Sequence, residues 1–214
     1  MIAFFDLDRT LIATNSATDW IRQELRLGNI SRRTVARAAG WIGLYHLGFA
    51  RIESALHDGA ATLTGKPEAE LAARTRAFWA EQIAPTIRPG ARAVLERHRR
   101  AGAHLAMLTS SSTYLGGFAA ETLGIETVLA NRFVVHDGRF TGTLAEPLCF
   151  GAGKLVHAER LAAEKGVSLS DCVFYTDSYS DLPVLEAVGQ PIVVHPDPRL
   201  ARLARARGWP IELW

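Results

Sequence analysis

"FFDLDRTL", residues 4–11, runs two phenylalanines straight into two aspartates set one residue apart. The overlapping "IAFFD" (2–6) is a short apolar run that ends in polar residues, the pattern of a parallel strand buried on both faces. Carboxylates are not tolerated inside such a strand, so Asp6 and Asp8 belong beyond its end, at the rim of the core. What the rest of the chain brings to that rim decides both fold and function.

From about Ser16 to Ile83 the texture is helical, with apolar residues recurring as Trp20, Ile21, Leu25 and Leu27, and again as Leu71, Phe78 and Trp79. "APTIRPG" (84–90) closes this stretch with two prolines and a glycine. Strand and helix patterns then alternate. "GARAVLERHRRAG" (90–102) reads as a helix, "AHLAMLT" (103–109) as a buried strand, "YLGGFAAETLG" (114–124) as a helix and "TVLAN" (127–131) as a strand. "RFVVHDGRFTGTL" (132–144) alternates around Asp137-Gly138 and predicts a hairpin. The series resumes with a helix from Lys154, the strand "CVFYTD" (172–177), a helix from Leu182, the strand "PIVVH" (191–195) and a basic helix from Pro198. Such alternation predicts an α/β fold, a parallel sheet flanked by helices, with ligands at the carboxyl ends of its strands.

The bulk properties exclude several classes. A chain of 214 residues with 48% apolar and 21% charged residues has globular composition and enough length for one sizeable core. With 24 Lys and Arg against 22 Asp and Glu, the net charge of +2 gives little pull toward nucleic acid. Cys149 and Cys172 lie far apart and form neither a metal motif nor a disulfide framework. The chain opens directly into a strand, so a cytoplasmic location is expected. "GWIGLYHLGFA" (40–50), flanked by Arg37 and Arg51, is about half the roughly 20 residues that cross a bilayer. It reads as a helix face, and it leaves both a monomer and a homodimer open.

Three strand ends carry unusual chemistry: Asp6 and Asp8, Thr109 and Ser110, and Asp177 and Asp181. Carboxylates brought together would raise one another's pKa, and a hard divalent cation with oxygen ligands, of which Mg²⁺ is the best fit, relieves that conflict. A carboxylate beside a second carboxylate suits a nucleophile with an adjacent acid/base that attacks phosphorus. Thr109 supplies a hydroxyl. Lys154, in "FGAGKL", supplies an ammonium at a helix start, with Gly151 and Gly153 allowing close backbone approach.

These residues resemble the four motifs of the haloacid dehalogenase superfamily. "DLDRT" is similar to its DxDxT signature, "HLAMLTS" to its second motif, "GAGK" to its lysine motif and "FYTDSYSDLPVLE" to its acidic loop. The order, spacing and strand context agree along the whole chain. The resemblance implies a Rossmann-like core over 1–15 and 85–214, a helical cap inserted over 16–84, and a small β-hairpin. It implies Asp6 as nucleophile and Mg²⁺ ligand, and Asp8 as acid/base that also lends the metal its backbone carbonyl. Thr109 would hydrogen-bond the phosphoryl group, Lys154 would neutralise charge, and Asp177 and Asp181 would complete the metal site, Asp181 directly or through water. Hydrolysis of a small phosphorylated metabolite follows, with transfer to another acceptor or phosphate-dependent binding without catalysis as the alternatives.

The helical insertion resembles the cap of the phosphoserine-phosphatase-like branch. Expected substrate-binding residues are Asn15, Ser110 and Arg51; Trp20, Trp41 and Tyr45 are candidate lining that reads first as core. The chain departs from that branch in three places. Arg9 fills a slot often taken by a small residue, and Thr176 stands where glycine is common. Asn15 replaces a glutamate that holds the substrate's ammonium, which argues against phosphoserine itself.

Overall fold

The structure, a computed structural model, describes residues 1–31 and 52–214. The apolar stretch 40–50 and Arg51, Trp41 and Tyr45 lie outside the described residues.

A six-stranded parallel sheet forms the centre. Its strands are β1 (Ile2–Phe5), β2 (His104–Ser112), β3 (Thr127–Asn131), β6 (Val173–Thr176), β7 (Gln190–Val194) and β8 (Ile211–Glu212), in the order β3-β2-β1-β6-β7-β8. Every pairing between these neighbours is parallel. All four residues of β1 are buried, as the apolar run predicts for a central parallel strand.

The pleat divides the strand between two cores. Ala3 and Phe5 point to one face, where they join Leu105, Met107, Val173 and Tyr175. That face is covered by α4 (Pro89–Arg100) through Ala91, Val94 and Leu95, and by α5 (Thr113–Leu123) through Leu115, Ala119 and Leu123. Ile2 and Phe4 point to the other face with Ala106, Leu108 and Phe174. There α6 (Ala152–Glu164), α7 (Leu182–Ala187) and α8 (Pro198–Arg207) supply Ala158, Leu161, Leu185 and Leu200. Burial of one such large apolar side chain stabilises the fold by about 1.5–3 kcal/mol.

Between β1 and α4 the described chain is helical: α1 (Ser16–Arg26), α2 (Ile52–Ala61) and α3 (Glu68–Phe78), the last running into a wider turn over Trp79–Ile83. Asn15 starts α1 by accepting the Thr18 amide at 2.9 Å. Phe78, Trp79 and Ile83 pack into the core that holds Phe5, so this helical segment is tied to the sheet by its C-terminal end.

The hairpin pairs β4 (Phe133–His136) with β5 (Arg139–Leu144) around Asp137 and Gly138, both at positive φ. The α2–α3 turn adds itself to the hairpin's edge. The Gly65 amide donates to the Phe140 carbonyl at 2.8 Å, the Phe140 amide to Lys66 at 3.0 Å and the Glu68 amide to Gly138 at 2.9 Å. Arg139 Nη1 donates to the Gly65 carbonyl at 2.7 Å. Tyr114, at the start of α5, donates its hydroxyl to Glu68 at 2.7 Å and lies against Phe133 and Phe140.

Among the described residues no helix is long and apolar enough to cross a membrane. Cys149 and Cys172 are buried free thiols. The basic face of α4 is solvated only in part. Arg97 and the buried His98 turn inward to the Tyr175 hydroxyl, at 2.9 and 2.8 Å.

Candidate active site

The chain leaves β3 at one edge of the sheet and resumes in β6 on the far side of β1, so β1, β2 and β6 meet at the topological switch point. Asp6 and Asp177 directly follow β1 and β6, and Thr109 lies within β2, three residues before its carboxyl end, so the strand runs further than the sequence pattern suggests.

Asp6 ends β1, its amide donating to the Tyr175 carbonyl at 2.9 Å. The next five residues turn sharply. Asp8 is extended, and Arg9 adopts a left-handed φ of 56°, which swings the chain back on itself. Buried Leu7, Thr10 and Leu11 hold the turn in place. Asp8 Oδ1 then accepts the amide of Ser16, the first residue of α1, at 2.5 Å. The acidic turn is thus fastened to a helix N-terminus, where a negative charge is favoured.

Lys154 is 2% exposed, and its ammonium lies between Asp6 Oδ1 at 2.9 Å and Asp181 Oδ2 at 2.8 Å. Burial alone would lower its pKa, but Asp181 and Asp6 outweigh burial and keep the lysine charged. Thr176 Oγ1 donates to the same Asp181 oxygen at 2.6 Å and accepts the Ser178 amide at 3.2 Å. A glycine at position 176 could do neither. Asp181 precedes α7 but makes no side-chain capping bond to it. Its Oδ1 is buried with no hydrogen-bond partner.

Asp6 and Asp177 stand beyond the strand ends, as the sequence suggests, and the carboxylates are buried there. Asp6, Asp177 and Asp181 are 6%, 7% and 1% exposed. At Asp6 and Asp177 burial is accordingly the first cause of the pKa shift, ahead of mutual repulsion. It lifts Asp6 well above the usual carboxylate range against the pull of Lys154, and it lifts Asp8 against the Ser16 amide. Asp177 is pushed up to about 7 by burial and then by Asp181.

One ammonium does not balance four carboxylates, and the orphaned Asp181 oxygen marks a missing partner. Both observations fit a hard cation. Among the described residues no three His, Cys, Asp or Glu side chains gather as a metal cluster. That is compatible with an ion taking two carboxylates and a main-chain carbonyl, its other positions filled by water or phosphate oxygens.

Thr109 is fully buried in the C-terminal stretch of β2, where the pairing with β3 shifts register between Leu108 and Ser112. Its Oγ1 accepts the Ser111 amide at 3.1 Å. Ser110 is half-buried, with its carbonyl accepting Asn131 Nδ2 at 2.7 Å. On the other side of the site, Gly153 lies so close to the Leu148 carbonyl that any Cβ would collide with main chain.

Of the expected substrate-binding residues, Asn15 spends its carboxamide oxygen on α1, accepting both the Thr18 amide and the Thr18 hydroxyl at 2.9 Å. Trp20 packs edge-on against Phe78 and lies half-buried against the core. Arg51 lies outside the described residues. Asn131 and Asp197 were not legible. Asp197 accepts the Tyr179 amide at 2.7 Å and gives its own amide to the Asp177 carbonyl at 2.9 Å, so it ties the acidic loop to the start of α8. Neither residue falls in a recognisable motif, and both act on atoms distant in the chain.

A family profile described as haloacid dehalogenase-like hydrolase matches residues 3–186. A histidinol-phosphatase of Neisseria meningitidis is 31% identical over 98% of this chain and 97% of its own length. A phosphoserine phosphatase of Mycobacterium tuberculosis is 32% identical over 98% of this chain and 70% of its own length. A solved Bordetella pertussis protein of unknown function superposes with a TM-score of 0.89 at 32% identity, covering 98% of this chain and 96% of that one.

Proposed function

The chain belongs to the haloacid dehalogenase-like hydrolase family, and on that premise we propose that it is a phosphatase hydrolysing a small phosphate monoester through an aspartyl-phosphate on Asp6. The carrying observation is the buried ammonium of Lys154 set between Asp6 and Asp181 at the switch point of the sheet. Such a charge relieves repulsion between a carboxylate nucleophile and an anionic substrate.

In this reading Asp6 attacks phosphorus and the ester P–O bond breaks. The departing oxygen takes a proton from Asp8, whose raised pKa suits it to hold one. Water then attacks the phosphorus of the acyl phosphate and gives its proton to Asp8. Inorganic phosphate leaves and Asp6 is restored. The Thr109 hydroxyl, already accepting the Ser111 amide, has its proton to give to a phosphoryl oxygen. Mg²⁺ held by the Asp6 and Asp177 carboxylates and the Asp8 carbonyl, with Asp181 direct or through water, would neutralise charge developing on the phosphoryl group.

The two named relatives suggest an amino-alcohol phosphate as the substrate class. Phosphoserine is disfavoured, because Asn15 carries no charge for an ammonium and its oxygen is already engaged by Thr18. The test is release of phosphate from p-nitrophenyl phosphate with Mg²⁺. Asp6→Asn is expected to lower kcat by at least about 10⁴-fold, and turnover retained in that variant overturns the reading.

A further inference from the structure

We propose that Asn131 is a positioning residue that sets the spacing between the two phosphate-binding loops. The inference rests on the phosphatase reading of Thr109 and Lys154. Asn131 is the last residue of β3 and is 4% exposed. Its carboxamide faces two loops at once. Nδ2 donates to the Ser110 carbonyl at 2.7 Å, and Oδ1 accepts the Cys149 amide at 2.8 Å.

The first loop is the irregular C-terminal stretch of β2, which carries Thr109 and Ser110 and where the ladder to β3 shifts register between Leu108 and Ser112. The second leads through the tight Leu148–Gly153 contact into Lys154. One donor and one acceptor are needed on a single short planar group, and a carboxamide offers both in a form that does not change with pH. The partners also fix its orientation, since the nitrogen meets a carbonyl and the oxygen meets an amide.

Asn131 is placed to touch main chain on either side of the phosphate and is assigned no contact with substrate. Its effect would be geometric: it keeps the hydroxyl of Thr109 and the ammonium of Lys154 at the distance that one phosphoryl group spans. Asn131→Asp is the sharpest probe. It keeps the shape and the bond from Cys149, but it sets an oxygen against the Ser110 carbonyl, so that loop is pushed away.

The experiment compares the unmodified protein, Asn131→Asp and Val128→Ala. Val128 lies in the same strand, pairs with Met107 and packs against the core. For each, kcat/KM on p-nitrophenyl phosphate, the affinity for inorganic phosphate by calorimetry and the Tm are measured. Asn131→Asp is expected to lose about 100-fold in kcat/KM, the effect of an ångström-scale misplacement, and to weaken phosphate binding in parallel. Val128→Ala is expected to lose Tm while keeping both. The inference is overturned if Asn131→Asp stays within about threefold of the unmodified protein rather than about 100-fold below it. It is equally overturned if Val128→Ala loses activity to the same extent. Phosphate release failing in the unmodified protein bears on the phosphatase reading instead, and the calorimetric comparison then decides for Asn131.

Discussion

Lys154 holds its charge where water scarcely reaches, and Asp6 and Asp181 make that tenable. Replacing it with methionine leaves two buried carboxylates without their cation, and breaking such a pair destabilises a fold by about 3–5 kcal/mol. Urea denaturation of Lys154→Met near neutral pH is expected to show that loss, and a smaller one in acid, where Asp6 takes up a proton instead. Asp177 gives a second test. In the folded, metal-free chain its pKa is about 7, whereas an unfolded aspartate titrates near about 4. The folded state therefore binds the proton more tightly. Its stabilising contribution is complete below the unfolded value and is lost as pH rises through the folded one. With a chelator present, Tm is expected to fall between about pH 4 and pH 7, and Asp177→Asn to flatten part of that slope. A Tm that rises over the same range contradicts the assignment. The identities of these residues were legible because few side chains can serve phosphoryl chemistry. Their burial was not, since it depends on which distant segments close over the strand ends.

Elements aim these side chains, and two positions show how narrowly. At Gly153, the second residue of α6, a methyl group would strike the Leu148 carbonyl. Gly153→Ala is therefore expected to displace Lys154 and lower kcat/KM by about 100-fold while circular dichroism still reports a folded chain. Asp197 caps α8, accepting the Arg199 and Leu200 amides at 2.8 and 2.9 Å, and also restrains the acidic loop. Asp197→Ala should destabilise the protein by about 1 kcal/mol as a lost cap and weaken Mg²⁺ activation, whereas Asp197→Asn keeps the cap and should lose less of both. The strands were readable because fully buried parallel strands are apolar runs, and the hairpin because Asp137-Gly138 suits its turn. The clamps of Asn131 and Asp197 were not, because each joins main-chain atoms about 18 residues or more away, which no local period encodes. The inward turn of His98 was hidden for the same reason, its partner Tyr175 lying 77 residues on.

At the scale of the molecule, the sheet is a partition with a core on each side, and the helical segment between β1 and α4 shares one of them. Phe78 is fully buried beside Phe5, Leu105 and Trp79. Phe78→Ala should therefore destabilise the whole chain by about 3–5 kcal/mol, read as a single shifted transition in urea. An independent early transition, leaving the sheet's own melting unchanged, would contradict the shared core. A second tie lies at the far end of that helical segment. Four hydrogen bonds join the α2–α3 turn to the hairpin, and separating them forfeits about 0.5–1.5 kcal/mol apiece. Residues near 65 and near 140 are thus one hydrogen-bonded unit. Whatever swings to admit a ligand carries both stretches at once, and an alteration in the hairpin is felt in the helices although the sequence sets them some seventy positions apart.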